Sequence, residues 1–182
     1  MIDLGPVDWP PAPIGTERLV LRESEVGDRA AFVELFGSPD VGAYIGGAQP
    51  REELDRAMPE VPGRRPGFFV VDLDGALIGV VTFDRHDPEE RPYVRPEVGT
   101  VHLGYLFLPE VWGRGYAVEA CAAALDWFAA AFPGEPVVLC TRTANGRSMG
   151  VAAKLGFTEV ERFEAWGAEQ WLGMWSPVTP SG

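Results

Sequence analysis

The chain has 182 residues, 46% hydrophobic and 23% charged, a length and balance that suit one globular domain and exclude a disordered chain. Fifteen Lys and Arg against 27 Asp and Glu leave a formal charge of −12, which argues against nucleic acid or an anionic membrane as partner and suits cationic or amine-bearing molecules. Cys121 and Cys140 are too few for a disulfide scaffold or a multi-cysteine zinc site and fit a cytoplasmic protein with no metal. The first residues lack the apolar run of a secretory signal. The most apolar stretch, Val118 to Phe132, is broken by Glu119 and Asp126 and is too short to cross a bilayer.

Residues 1–15 carry Pro6, Pro10, Pro11 and Pro13 and read as a mobile or draped tail, because proline removes backbone donors. Residues 16–182 read as a single domain. Thr16 to Glu23 alternates as a half-buried strand, with Leu19 and Leu21 on one face. Asp28 is placed to cap a helix running to about Phe36, and Gly37-Ser38-Pro39-Asp40 stops it. A second short helix spans Arg51 to Met58. Phe68 to Asp72 and Leu77 to Phe83 form a hairpin across Asp74-Gly75. His86 to Pro96, with three prolines among its charges, reads as a surface loop. Val98 to Leu108 is a strand, and an alanine-rich helix runs from about Gly115 to Phe132. A strand from Val137 to Thr141 and a helix from Asn145 to Leu155, closed by Gly156, come next. Two last strands, Thr158 to Trp166 and Gln170 to Ser176, pair across Gly167-Ala168. The order predicts a mixed α/β domain of about seven strands and four helices, largely antiparallel with one central crossover.

Two features point to a phosphorylated ligand. The turn Trp112-Gly113-Arg114-Gly115-Tyr116-Ala117 joins a strand to a helix, where glycines let the backbone approach and first-turn N–H groups favour an anion. It lacks the Gly-Lys-Ser/Thr of a P-loop, and the dinucleotide spacing fails at Val118. The alternative is a turn that merely reverses the chain. Residues 136–158 are the longest acid-free stretch and hold Arg142, Arg147 and Lys154; a phosphorylated cofactor would use them, and a solvated basic helix face is the alternative.

The turn and the Val118-Glu119-Ala120 after it resemble the pyrophosphate motif of the GNAT superfamily of acyl-CoA-dependent N-acetyltransferases, in the branch of the RimJ and RimL ribosomal-protein acetyltransferases. Three further pieces agree in order: Thr16-Glu17-Arg18-Leu19-Val20-Leu21-Arg22, Leu103-Gly104-Tyr105, and Asn145-Gly146-Arg147-Ser148 leading to Lys154-Leu155-Gly156-Phe157. The resemblance implies acetyl-CoA as co-substrate, an amine as acceptor, and a fourth strand splayed by a bulge near Leu106, Phe107 and Leu108. There the pantetheine arm would bond like an added strand. It implies that Gly113 to Ala117 hold the pyrophosphate. Asn145 and Ser148 would direct one helix face at the pantetheine arm, unless Asn145 is an ordinary N-cap. Two departures stand out: Trp112 occupies the first motif position, and Ala152 stands where many relatives carry a general-acid tyrosine.

The attacking amine must be neutral, so a proton acceptor is needed. His102 sits on the key strand and its reference pKa of about 6.5 suits neutrality; a structural histidine is the alternative. His86, in the charged loop, is expected to be solvated. Glu97 is the rival base. Ser148 is a candidate acid for the departing thiolate, against a purely binding hydroxyl, and Cys140 reads as a packed thiol. The leading function is direct acetyl transfer to a primary amine of a protein N-terminus or small molecule, by a monomer or homodimer. The alternative is a non-catalytic acyl-CoA-binding module.

Overall fold

The computed structural model describes residues 3–91 and 93–177. The first two residues of the Pro-rich segment, Pro92 of the charged loop and the last five residues lie outside them. The described chain forms two compact units, one of residues 8–82 and 105–123, the other of residues 3–7, 83–104 and 124–177.

The first unit holds β1 (Ile14–Gly15), β2 (Val20–Arg22), α1 (Arg29–Gly37), α2 (Pro39–Gly42), α3 (Arg51–Ala57) and β3 (Phe68–Leu73). Most of β4 (Ala76–Arg85), the end of β5 (Val101–Phe107) and the start of α4 (Tyr116–Ala131) also belong to it. β1, β2, β3 and β4 pair in sequence, all antiparallel. Asp74 and Gly75 have φ of 52° and 90°, the paired positive values of the tight hairpin that their sequence predicts. The strand expected from Thr16 pairs only from Val20, because Thr16 to Leu19 forms a turn: Thr16 N–H donates to Leu19 O at 2.8 Å and Leu19 N–H to Thr16 Oγ1 at 3.0 Å. α2 is an addition to the expected helices. Pro39 stops α1 but starts a new turn, with Ser38 accepting from Val41 N–H, since proline is tolerated at a first helical position. The core of this unit packs Phe32 and Leu35 of α1 on Phe68, Val70, Leu77, Val80 and Leu108.

Asp28 stands at the start of α1 but its carboxylate is not the helix cap. It accepts two bonds from the Arg22 guanidinium, both 2.8 Å, and one from Glu25 N–H. Arg22 Nε also donates to Asp72 at 3.0 Å. All three side chains are largely buried, so removing the cation leaves two carboxylates without compensation. Arg22→Leu is expected to cost about 3 kcal/mol, the lower end for a broken buried pair because the cluster keeps an edge in water. Urea unfolding measures it; a loss under about 1 kcal/mol would show that the cluster is solvated.

The second unit holds the end of β4, the start of β5, the second half of α4, β6 (Val137–Arg142), α5 (Gly146–Leu155), β7 (Thr158–Ala165) and β8 (Ala168–Trp175). β5 and β6 run parallel through Val101↔Val137 and His102↔Val138, and the ladder has no further pairs. A parallel pair needs a crossover, which α4 supplies. β6 pairs antiparallel with β8, and β8 with β7; the β7–β8 turn has Trp166 and Gly167 at φ of 52° and 74°. Phe83 stacks on Phe128 with ring centroids 4.9 Å apart, and Phe128 on Phe132 at the same distance. Leu4 is buried and its carbonyl accepts from Arg85 Nη2 at 3.0 Å, so the Pro-rich segment is held at that point.

The eight-stranded sheet has the order β1-β2-β3-β4-β5-β6-β8-β7. The mixed, mostly antiparallel architecture agrees with the sequence; β1 and α2 raise the counts to eight strands and five α-helices. Among the described residues, no helix is long and apolar enough to cross a membrane.

Candidate active site

In the first unit, β5 ends at Phe107 and a 3₁₀ turn, Pro109–Val111, leads to the glycine turn. Leu108 N–H donates to Ile78 O at 2.9 Å, and the Trp112 indole N–H to Phe107 O at 2.8 Å. The tryptophan in the first motif position thus fastens the turn to the strand before it. Gly113 and Gly115 have φ of 77° and 81°, a region L residues rarely adopt. Both are exposed, as is Arg114. Glu119 N–H donates to Gly115 O at 3.1 Å, closing the first turn of α4. The N–H groups of Tyr116, Ala117 and Val118 precede that bond, at the positive end of a 16-residue helix, where backbone donors lack intrahelical acceptors. That arrangement fits a pyrophosphate.

Three side chains to which the sequence assigned no individual role, Thr16 and Arg18 of the first-strand motif and Glu119 at the end of the glycine-turn motif, prove to organise this turn. Arg18 Nε donates to Glu119 Oε1 at 2.7 Å and Arg18 Nη1 to the Arg114 carbonyl at 2.9 Å. The guanidinium carbon stands 4.3 Å from the Tyr116 ring centroid. Thr16 Oγ1 and Arg18 N–H both donate to Glu119 Oε2. Burial alone would raise the Glu119 carboxyl, but these hydrogen bonds outweigh it and hold its pKa below the ordinary value. Gly79 was also missed. A Cβ there would stand 2.5 Å from the Leu106 carbonyl and against the Phe107 ring, so a glycine lets β4 pass close to this end of β5.

In the second unit, Asn145 Oδ1 accepts from Ser148 N–H at 3.2 Å; the side chain is the N-cap of α5. Arg147 is exposed and Ser148 half-buried. Gly156 closes the helix at φ 86°. Ala152, in place of the family's tyrosine, is buried. Glu97 lies outside β5 on an exposed turn in which Val98 and Gly99 N–H both donate to Arg95 O.

His102 Nε2 is buried and has no hydrogen-bond partner among the described residues. Its ring meets His86 edge to face, centroids 4.4 Å apart. Burial first, then the charges of His86 and Arg91, push its pKa down to about 3. The reference value near 6.5 therefore does not describe this imidazole. His86 is not solvated as its charged neighbours led us to expect. Its N–H bonds Thr100 O, which draws it beside β5, its Nδ1 is buried, and burial followed by Arg91 lowers its pKa. Burial pushes the Cys140 thiol up to about 11, an inert thiol at neutral pH.

The chain thus combines a mostly antiparallel sheet holding one parallel pair with a glycine turn that opens the long crossover helix between the two parallel strands. Residues 18–158 match the acetyltransferase (GNAT) domain family, and the chain belongs to it. It is an acetyltransferase. The uncharacterized N-acetyltransferase YnaD of Bacillus subtilis (strain 168) is 27% identical over 146 residues, covering 79% of this chain and 81% of its own. A GNAT-family acetyltransferase from Bacillus anthracis superimposes with a TM-score of 0.70 at 22% identity, over 91% of this chain and 98% of that one. The ribosomal-protein α-N-acetyltransferase RimL in complex with coenzyme A gives 0.69 at 15% identity, over 91% and 98%.

Proposed function

We propose that this chain is an acetyl-CoA-dependent N-acetyltransferase that acts directly on a primary amine, of the RimJ/RimL type, working in the cytoplasm as a monomer or homodimer. The observation that carries the reading is the glycine turn: two exposed positive-φ glycines and three first-turn donors. Among similar folds, RimL is seen with coenzyme A.

Acetyl-CoA supplies an acyl group activated as a thioester. The backbone from Gly113 to Ala117 would hold the pyrophosphate, with Arg114 adding charge, and Leu106 to Leu108, Asn145, Arg147 and Ser148 the rest of the carrier. His102 would take the proton of the attacking amine at Nε2, directly or through water, and Ser148 would return one to the departing sulfur. Glu97 is the rival base. The net charge of −12 favours a cationic acceptor: a basic peptide terminus, a polyamine or an aminosugar.

Ala152 and the weak basicity of His102 favour a second reading, an acyl-CoA-binding module without turnover. Release of free coenzyme A, followed across a panel of peptides, polyamines and aminosugars, separates the two. Amine-dependent release is the expected result; tight acetyl-CoA binding with no release on any amine would establish the module.

A further inference from the structure

Glu119 is the acid in the first turn of α4. A carboxylate there lowers the value of an anion-binding helix end, because it repels the charge that the dipole and N–H groups attract. The structure engages it instead. Both of its oxygens are engaged, Oε1 by Arg18 Nε and Oε2 by Thr16 Oγ1 and Arg18 N–H. Arg18 also reaches across the turn to the Arg114 carbonyl, and its Nη2 stands 3.4 Å from where a Cβ of Gly115 would be. The tight turn from Thr16 to Leu19 fixes its backbone. A surface ion pair alone contributes little, but this guanidinium touches the turn at residues 114, 116 and 119.

We propose that Arg18 is a positioning residue for the phosphate turn: it neutralises Glu119 and fixes the Arg114 carbonyl, so that the turn presents donors and no net negative charge to the ligand. This rests on the turn being the phosphate site. Its function is electrostatic as well as mechanical, and removing the charges singly and together separates the two.

The test compares coenzyme A with S-acetylpantetheine, which lacks the phosphates, in the parent, Arg18→Gln, Glu119→Gln and the double variant. Calorimetry measures the first ligand and NMR titration the second. Arg18→Gln is expected to weaken coenzyme A by roughly tenfold and S-acetylpantetheine by less than about twofold. The coenzyme A deficit narrows as salt rises, and the double variant recovers most of it because no uncompensated carboxylate remains. If Arg18→Gln does not fold, Arg18→Lys serves: it keeps the charge but loses the planar fork, so it should retain affinity better than a neutral residue while weakening coenzyme A selectively. Equal losses for both ligands, or no recovery in a folded double variant, would reduce Arg18 to a tie between strand and helix and overturn the proposal. A parent that binds both ligands equally well would instead sink the phosphate-site reading itself.

Discussion

Exchanging His102 for glutamine is expected to lower kcat by about 10²-fold while affinity for acetyl-CoA changes little. Glutamine keeps a hydrogen-bonding group but cannot accept the proton. The effect falls at the low end of general-base contributions because a base with a pKa of about 3 is weak. The same environment sets the pH dependence. The imidazole is neutral throughout the working range, so the acid limb of kcat/KM should lie well below 6.5, near the value of the buried ring, unless the amine's own ionisation sets it. Stability should titrate with it. The folded pKa lies below the unfolded value near 6.5, so between the two the unfolded chain binds more protons. Stability is then unaffected above 6.5 and falls by up to about 1.4 kcal/mol per pH unit on acidification, levelling near 3. His86, shifted the same way, adds to that slope, and His102→Gln should remove its own part. A pH–rate profile of the variant with a good acceptor is decisive. Unchanged rate and unchanged acid limb would take His102 out of the mechanism and leave Glu97 or the amine to explain the limb.

Gly115→Asp should abolish the stabilisation that acetyl-CoA confers. At a ligand concentration of about 100 Kd, binding adds roughly 2.7 kcal/mol, or about 5–10 °C in Tm for a chain of this size. The substitution opposes it twice. A side chain at φ 81° strains the turn, and a second carboxylate beside Arg18 Nη2 competes with Glu119 for the same guanidinium. Gly115→Ala carries the strain without the charge and should keep part of the shift. A Gly115→Asp protein that gained the parent's full Tm increment would show that the phosphates bind elsewhere.

What could be read in the sequence was local. Asp74-Gly75, Gly156 and the alanine-rich α4 each declare themselves within a few residues, since turn chemistry and helix caps act over that range. The glycine turn was legible for the same reason, and its agreement with three other ordered motifs made the family readable. The ties that shape the site were not. Arg18 meets Glu119 across 101 positions, and no periodicity relates them; the only hint was an acid in a helix turn expected to bind an anion. His86 misled because prolines and charges describe a loop's neighbours, not its own burial against β5. Asp28 was read as a cap, whereas Arg22 and Glu25 N–H claim its carboxylate. Gly79 gave no signal at all, since its role is the room it leaves for a strand that comes 20 residues or more later.

β8 lies between β6 and β7 in the sheet although it is the last strand among the described residues. On the ribosome, β6 is complete at Arg142 while its antiparallel partner ends at Trp175. At about 5–20 residues per second, the intervening 33 residues take some 2–7 s to add. Throughout that interval β6, joined by β7 once Ala165 has been added, presents an unsatisfied backbone edge of the kind that recruits other chains. Nascent chains stalled before β8 would therefore be the aggregation-prone species of this protein, and the C-terminal hairpin is the step that closes the sheet.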